Sequence, residues 1–200
     1  MPNTPVEIST LNNIFYQGVK NDVSFKIEDR FVVFLEHQTS ISENLPMRML
    51  LYASKGYEFS VDKKKLHKVK LIKVPTPEFY VLYNGEKNAP KERILKLLDA
   101  FTEVGKPLAL ELKVKFININ LEESSELLER SKTLREYSYF IDMYRRYLNE
   151  GYTEKVAMKK AYQHCVGGGI MEEFLRKYEA EVLNTDILAW TYEESMTAER

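Results

Sequence analysis

Hydrophobic and polar residues follow their clearest pattern in residues 22–38. The first half carries apolar side chains at every second position, and the second half is apolar throughout residues 31–35. The polar tripeptide Glu28-Asp29-Arg30 separates the two halves, which is typical of a β-hairpin. The pattern therefore predicts two antiparallel strands joined by a three-residue turn.

The register of this hairpin decides which side chains share a face of the sheet. If Ile27 and Phe31 close the turn, Asp22 lies opposite Glu36 and the apolar pairs lie together on the other face. A shift by one residue would move Glu36 onto the apolar face, which a buried sheet disfavours. Gln38 lies two residues beyond Glu36 and is expected to share its face.

The predicted pair of carboxylates has two interpretations. Like charges at opposed positions repel unless a proton or a cation lies between them, so Asp22 and Glu36 could hold a divalent cation such as Mg²⁺. Alternatively, the pair is solvated on the sheet surface, as most such residues are. The polar sequence Glu36-His37-Gln38 at the exit of an apolar strand favours the functional interpretation, because reactive groups often lie where a strand meets a loop.

These residues resemble the motifs of a known superfamily. Asp22, followed by Glu36-x-Gln38 after an apolar strand, is similar to motifs II and III of the PD-(D/E)XK nucleases. A wider set of segments resembles the Rpn group, the recombination-promoting nucleases and related transposases of bacteria. These segments are 21–25, 34–40, 45–52 and 79–85, with Cys165, Gly169-Ile170 and the helix Phe174-Leu175-Arg176.

The resemblance implies a fold and an activity. The fold is α/β, a restriction-endonuclease-like mixed sheet with a flanking helix and a C-terminal helical layer. The activity is Mg²⁺- or Mn²⁺-dependent hydrolysis of DNA phosphodiester bonds, with Asp22, Glu36 and Gln38 as catalytic residues. The implied metal ligands are Asp22, Glu36 and the carbonyl of His37. Gln38 stands where the superfamily usually has lysine, and Lys26 could supply that charge and contact DNA.

A rival hypothesis follows from two departures from the family pattern. The family core begins with a helix that supplies a further acidic residue, whereas only a short segment containing Pro2 and Pro5 precedes the strands here. That helix is therefore expected to be missing, and Gln38 is uncharged. Both features favour a weakened or inactive nuclease fold that serves as a nucleic-acid-binding or assembly module.

Positive charge is concentrated in residues 63–73, which contain six lysines and one histidine. Lys63, Lys64 and Lys65 begin this segment and are candidate DNA contacts, since contacts to phosphate would make binding salt-dependent. The alternative is a solvated strand edge, where lysine prevents unwanted pairing. Residues 69–74 are accordingly predicted to form a strand.

The remaining elements are assigned from periodicity and end signals. A helix begins at Ser42 or Asn44, has Pro46 in its first turn and ends near Gly56. Its Arg48 is either a phosphate contact or an ordinary surface charge. Strands are predicted at 6–10, 14–17, 79–83 and 109–119, helices at 124–131, 134–149, 153–165 and 170–184, and residues 91–101 fit either type. The chain thus divides into a nuclease-like α/β core, 1–120, and a helical C-terminal region, 121–200.

The composition, 44% hydrophobic and 30% charged, is that of a globular protein. The net charge of −1 means that any DNA-binding surface must be local. The single cysteine, Cys165, excludes an internal disulfide and is typical of the reducing cytoplasm. Cys165 and the adjacent His164 are expected to be structural. No segment has the length of a membrane span, so no membrane partner is expected. The family resemblance implies DNA as the partner, and the sequence leaves a homo-oligomer open.

Overall fold

The computed structural model describes residues 6–8, 23–27, 31–103, 109–123 and 125–184 of the 200-residue chain. Its strands are β1 Val6–Ile8, β2 Val23–Ile27, β3 Phe31–Gln38, β4 Thr76–Tyr83, β5 Glu92–Lys96 and β6 Lys113–Asn118. Its helices are α1 Leu45–Ser60, α2 Lys63–Leu66, α3 Glu126–Arg130, α4 Lys132–Asn149, α5 Glu154–Gly167, α6 Glu172–Lys177 and α7 Glu179–Asn184. The described strands form one sheet in the order β1-β2-β3-β4-β6-β5, so the predicted α/β class is confirmed.

The chain divides into two compact units. The first contains the described residues of Met1–Leu82 and Glu92–Ile117, and the second contains Tyr83–Lys91 and the described residues of Asn118–Arg200. The helical region predicted to begin at residue 121 therefore lies in the second unit, and the loop that follows β4 joins it there.

Polar contacts explain why the loop after β4 belongs to the second unit. The guanidinium of Arg145 donates to Asn120 Oδ1 at 2.9 Å and also to the main-chain carbonyl of Asn84. Asn120 in turn donates from Nδ2 to the carbonyl of Gly85 at 2.9 Å. These bonds satisfy main-chain carbonyls that the end of β4 leaves without strand partners.

The hairpin has the register that the sequence predicts. β2 pairs antiparallel with β3, with Ile27 opposite Phe31 and Val23 opposite Leu35. β1 pairs antiparallel with β2 and begins at Val6, as expected. Asp22 lies outside the described residues, as does the predicted strand 14–17. Of the segment in which the family's first helix would be sought, the structure describes only Val6–Ile8, which form β1.

Both faces of β3 are buried in its central part. Val33 and Phe34 point to opposite faces of the pleated strand, and both are buried. Helix α1 covers the face of Phe34, and a Cβ built on Gly56 would lie 3.3 Å from Phe34 Cζ. The prediction that α1 ends near Gly56 is wrong, because this glycine allows close approach to the sheet and the helix continues to Ser60.

The lysine-rich segment departs most from its prediction. Residues 69–74 form no strand, so the interpretation as a protected strand edge is wrong. Alternating residues make a strand only where a neighbouring strand supplies hydrogen bonds, and here Val69 and Leu71 are exposed. The segment begins instead with the short helix α2, whose N-cap Asp62 accepts a hydrogen bond from the main-chain N–H of Lys64 at 3.0 Å.

Several other elements differ in their limits from the predicted ones. Residues 91–101 form β5 followed by the 3-10 turn Leu97–Ala100, and the strand predicted at 109–119 begins only at Lys113. The helix predicted at 170–184 is divided into α6 and α7. Helices α4 to α7 bury a common core around Phe140, Ala161 and Cys165. No described helix has both the length and the apolar character needed to cross a membrane.

Candidate functional site

Glu36 is the most unusual side chain of the first unit, because it is a carboxylate with 0% exposure. It lies near the end of β3, on the face covered by α1. Its Oε2 accepts two hydrogen bonds, one from Arg48 Nη2 at 2.8 Å and one from Gln38 Nε2 at 2.9 Å. A buried carboxylate requires such partners, since burial without them removes the hydration of a full charge.

Arg48 is held in place by a second contact from its own helix. Its Nε donates to Tyr52 Oη at 3.2 Å, over the i, i+4 spacing that brings two side chains onto one helix face. Tyr52 is buried, and this burial raises the pKa of its hydroxyl far above its ordinary value; Glu36 adds to the rise and Arg48 opposes it. The hydroxyl therefore stays protonated at neutral pH.

The structure brings together two of the three predicted catalytic residues. Glu36 and Gln38 lie two residues apart on one face and are hydrogen bonded. His37 lies between them in the strand, so its half-buried side chain faces the other way. Lys26 lies opposite Val32 in the β2–β3 pairing.

The structure also bears on two interpretations that the sequence left open, one for Glu36 and one for Arg48. Glu36 is not the solvated surface carboxylate that the ordinary interpretation predicted, because α1 covers it. Arg48 is not a bare surface charge either, since its side chain is 39% exposed and forms an ion pair with Glu36. Position 22, the predicted partner of Glu36, is not among the residues that the structure describes.

The Glu36–Arg48 ion pair was missed by the sequence analysis, although a signal for it existed. Arg48 is three residues after Leu45 and four before Tyr52, and both of these side chains are buried. A charged residue beside a buried face needs a counter-ion there. The sequence alone did not indicate which carboxylate, twelve positions away, would supply it.

The lysine-rich segment forms a separate, strongly basic surface of the first unit. Residues 62–74 contain six lysines and one aspartate, a net charge of +5, whereas the chain carries −1, so the other residues together carry −6. Lys63 pairs with Glu58 at 2.8 Å, and Lys64 and Lys65 are exposed. Tyr57 Oη donates to the carbonyl of Pro75 at 2.6 Å, where the segment joins β4. This surface presents several ammonium groups to solvent.

The pair Cys165 and His164 lacks the features of a nucleophilic site. Cys165 is fully buried, and burial raises the pKa of its thiol to about 11. The reactive thiolate is therefore scarce at neutral pH. The imidazole Nε2 of His164 lies 3.1 Å from the hydroxyl of Tyr139.

Comparison of the chain with protein-family models, with curated proteins and with solved structures found no match in any of the three. The resemblance to the Rpn group and to the PD-(D/E)XK nucleases thus rests on the motifs quoted above. Within the described ranges, no group of three or more histidine, cysteine, aspartate or glutamate side chains is arranged to hold a metal ion.

Proposed function

We propose that this chain is a metal-dependent DNA endonuclease of the PD-(D/E)XK type, acting at the end of β3. The observation that supports this most directly is the side-by-side arrangement of Glu36 and Gln38 on one sheet face, hydrogen bonded at 2.9 Å. The described register ends with Val23 opposite Leu35, and the sequence predicts that Asp22 lies opposite Glu36. The proposed catalytic residues are therefore Asp22, Glu36 and Gln38.

Glu36 supplies a carboxylate, the type of ligand that a hard divalent cation prefers. The carboxylate already holds a positively charged group, the Arg48 guanidinium, at 2.8 Å. Mg²⁺ or Mn²⁺ would be held by Glu36, by the carbonyl of His37 and by Asp22, and waters would complete its shell. When bound, such an ion supplies charge stabilisation at the scissile phosphate and acidifies a bound water.

The chain's own residues have distinct roles in this proposal. Gln38 can orient a water molecule or a phosphate oxygen through its amide, but it adds no charge. Lys26, which pairs with Val32 in the β2–β3 register, is the proposed source of that charge, because the sequence predicts it on the same face as Glu36. Charge-assisted hydrogen bonds to phosphate are about twice as strong as neutral ones, so the loss of lysine at position 38 predicts slow cleavage.

The lysine-rich surface would hold the DNA backbone. Lys63, Lys64 and Lys65 open a segment with a net charge of +5 in a chain that is otherwise acidic. Contacts to phosphate position a duplex without reading its sequence. Because these lysines would bind DNA while Glu36 acts only in cleavage, DNA binding is expected to depend on salt and to persist when Glu36 is replaced.

Plasmid nicking in Mg²⁺ or Mn²⁺, with EDTA as the control, tests the proposal. The wild-type chain is expected to nick, and Glu36→Gln is expected to abolish nicking because the amide cannot bind a cation as a carboxylate does. Glu43→Gln is the matched control, since Glu43 also pairs with an arginine, at 2.9 Å, but is largely exposed. Nicking that survives Glu36→Gln would contradict the assignment.

A second candidate function is a nucleic-acid-binding or assembly module without catalysis. The complete burial of Glu36 and its ion pair with Arg48 favour this alternative, because a structural role accounts for both. The two functions are separated by measuring binding and cleavage on the same samples. Salt-dependent DNA binding by a wild-type chain that nicks in neither metal would establish the module and exclude the endonuclease.

A further inference from the structure

The lysine-rich segment, residues 62–74, combines positive charge with apolar side chains that the fold leaves in water. It contains six lysines, and four large apolar side chains are exposed among them: Leu66, Val69, Leu71 and Val74. Val69 is fully exposed, and Leu71 is 77% exposed. Single exposed apolar residues are ordinary, but several within one short segment mark a site of interaction. A partner of this segment must therefore match both its charge and its apolar side chains.

Both ends of the segment are fastened to one residue of α1, Tyr57. The main-chain carbonyl of Tyr57 accepts a hydrogen bond from the N–H of Val61 at 2.9 Å, and its hydroxyl donates to the carbonyl of Pro75 at 2.6 Å. Between these two bonds, every residue from 62 to 74 except Ile72 is exposed. The segment is therefore a protruding loop with fixed ends, a form that frequently carries function.

The charge of the loop calls for an anionic partner. Its net charge is +5, whereas the other residues of the chain together carry −6. Lysine ammonium groups bind phosphate as point charges, but aliphatic side chains add nothing to such a contact. Duplex DNA matches both properties, because phosphates flank a minor groove from which an apolar side chain can enter between two base steps.

The composition of the loop favours duplex DNA over two other anionic partners. Single strands are bound by aromatic rings on which the bases stack, and residues 62–74 contain no phenylalanine, tyrosine or tryptophan. A lipid surface also presents phosphate and apolar groups, but binding there relies on a long amphipathic helix, and α2 has only four residues. Aliphatic wedges flanked by cationic residues are typical of proteins that bind the minor groove.

The spacing of the lysines fits the width of that groove. Lys68 and Lys70 precede Leu71, and Lys73 follows it. The main chain from Lys68 to Lys73 spans at most about 18 Å, and the minor groove is about 6 Å wide. Lysines on the two sides of Leu71 can therefore reach phosphates of both strands while the leucine lies between them.

We propose that residues 62–74 enter the minor groove of duplex DNA, with Leu71 as the wedge between two base steps. Leu71 has this role rather than Val69 because its longer side chain reaches further. The inference rests on the DNA binding of the proposed function and involves no metal ion. A wedge unstacks a base step and bends the duplex, so binding is selective for steps that deform easily, such as TA. The substrate class is thus a bendable duplex.

DNA bending by the full-length chain in EDTA tests this role. A short duplex with a central TA step carries a fluorescent donor and an acceptor at its two ends, and energy transfer between them rises when the duplex bends. Wild type is expected to raise the transfer. Leu71→Asn is expected to lose this rise and to bind about tenfold more weakly, because the apolar contact is gone. Leu71→Met keeps an apolar wedge and is expected to bend the duplex as wild type does.

Two controls separate the wedge from a loss of structure and from the phosphate contacts. Leu110→Asn changes another exposed leucine of the first unit and is expected to bend DNA normally. Leu71→Asn keeps every lysine, so its slope of log affinity against log salt is expected to equal that of wild type. Replacing Lys64, Lys65 and Lys68 by glutamine is expected to flatten that slope. A collapse of the loop would change bending and slope together.

The preference for a deformable step has its own measurement. A second duplex has AT in place of the central TA, which keeps the base composition and removes the flexible pyrimidine–purine step. Wild type is expected to bind this duplex about fivefold more weakly than the first. Leu71→Asn is expected to bind the two equally, since it does not open the step. A wild-type chain without this preference would overturn the selection for bendable DNA.

The outcomes distinguish this inference from the proposed function. If wild type binds and nicks DNA but bends it no more than Leu71→Asn does, the wedge is overturned and the endonuclease remains. If Leu71→Asn alone loses bending and wild type nicks in neither Mg²⁺ nor Mn²⁺, the wedge is supported and the endonuclease is overturned. If wild type binds vesicles of phosphatidylserine and phosphatidylcholine but not the duplex, the wedge and DNA as the partner are overturned together.

Discussion

Arg48 in the first turns of α1 and Glu36 near the end of β3 form an ion pair with 2.8 Å between Nη2 and Oε2. Twelve residues separate them in the sequence, so this contact fastens the helix to the strand. It also involves Glu36, one of the two carboxylates on which the proposed chemistry depends. Loss of this contact is therefore expected to affect both the packing of α1 on β3 and the proposed chemistry at Glu36.

The ion pair predicts a specific pattern of stability. Breaking a buried pair by removing one partner commonly costs about 3–5 kcal/mol, and the partial exposure of Arg48 reduces this to about 2 kcal/mol for Arg48→Gln. The double variant with Glu36→Gln should recover much of the loss, because no buried charge remains. Urea unfolding of the four chains gives the coupling energy. Additive effects of the two changes would show that the pair is not coupled.

Substitution of Gln38 tests whether nicking requires a hydrogen-bond donor or the neutral amide at this position. Gln38 donates from Nε2 to Glu36, and lysine there could donate as well while adding a positive charge near the attacked phosphate. Gln38→Lys is therefore expected to keep or raise metal-dependent nicking, whereas Glu36→Gln is expected to abolish it. Plasmid nicking rates in Mg²⁺ and Mn²⁺ provide the measurement. If the wild-type chain nicks DNA but the Gln38→Lys variant is inactive, the amide group itself is needed at this position.

The basic segment predicts the salt dependence of DNA binding. Replacing Lys64, Lys65 and Lys68 by glutamine should flatten the slope of log affinity against log salt by about two to three units, at roughly 0.9 per phosphate contact. The control replaces three exposed lysines of the second unit, namely Lys155, Lys159 and Lys177. Fluorescence anisotropy over a range of salt concentrations gives both slopes. Equal slopes in the two triple variants would remove this segment from the DNA interface.

A larger side chain at Gly56 is expected to lower the stability of the fold, because α1 packs closely against the sheet there. A Cβ at this position would lie 3.3 Å from Phe34 Cζ, so Gly56→Val should destabilise the chain by about 1–3 kcal/mol through overpacking. Gly167→Val is the control, because a Cβ there meets nothing within 4 Å. Thermal or urea unfolding compares the two. A neutral Gly56→Val would show that the helix can move away from the strand at little cost.

The Cys165 thiol is expected to react slowly with thiol reagents in the folded chain. Burial raises the pKa of its thiol to about 11, so both access and ionisation limit its reaction at pH 8. Labelling with a coloured disulfide reagent should be slow in buffer and fast in urea. Rapid labelling of the native chain would mean that α5 opens readily around this position.

The sequence by itself determined the hairpin and its register. The side chains of a strand alternate strictly, so a one-residue slip exchanges the two faces, and only one pairing keeps the apolar residues of β2 and β3 together. The pairing of Ile27 with Phe31 and of Val23 with Leu35 follows from that rule. The neighbouring positions of Glu36 and Gln38 follow as well, because they depend only on the period of the strand. The helical character of the C-terminal region was equally readable, since its apolar positions recur with the period of a helix.

Only the tertiary structure decided what surrounds those residues. The burial of Glu36 and its pairing with Arg48 depend on where α1 lies on the sheet, and residues twelve apart in different elements share no local signal. The passage of α1 beyond Gly56 was decided by the ring of Phe34, which makes a glycine useful in mid-helix. The lysine-rich segment 69–74 did not form the predicted strand. An alternating pattern shows only which side chains would share a face, whereas a strand also needs a neighbouring strand for its hydrogen bonds. Periodicity is a property of the chain, whereas burial and pairing are properties of the elements packed around it.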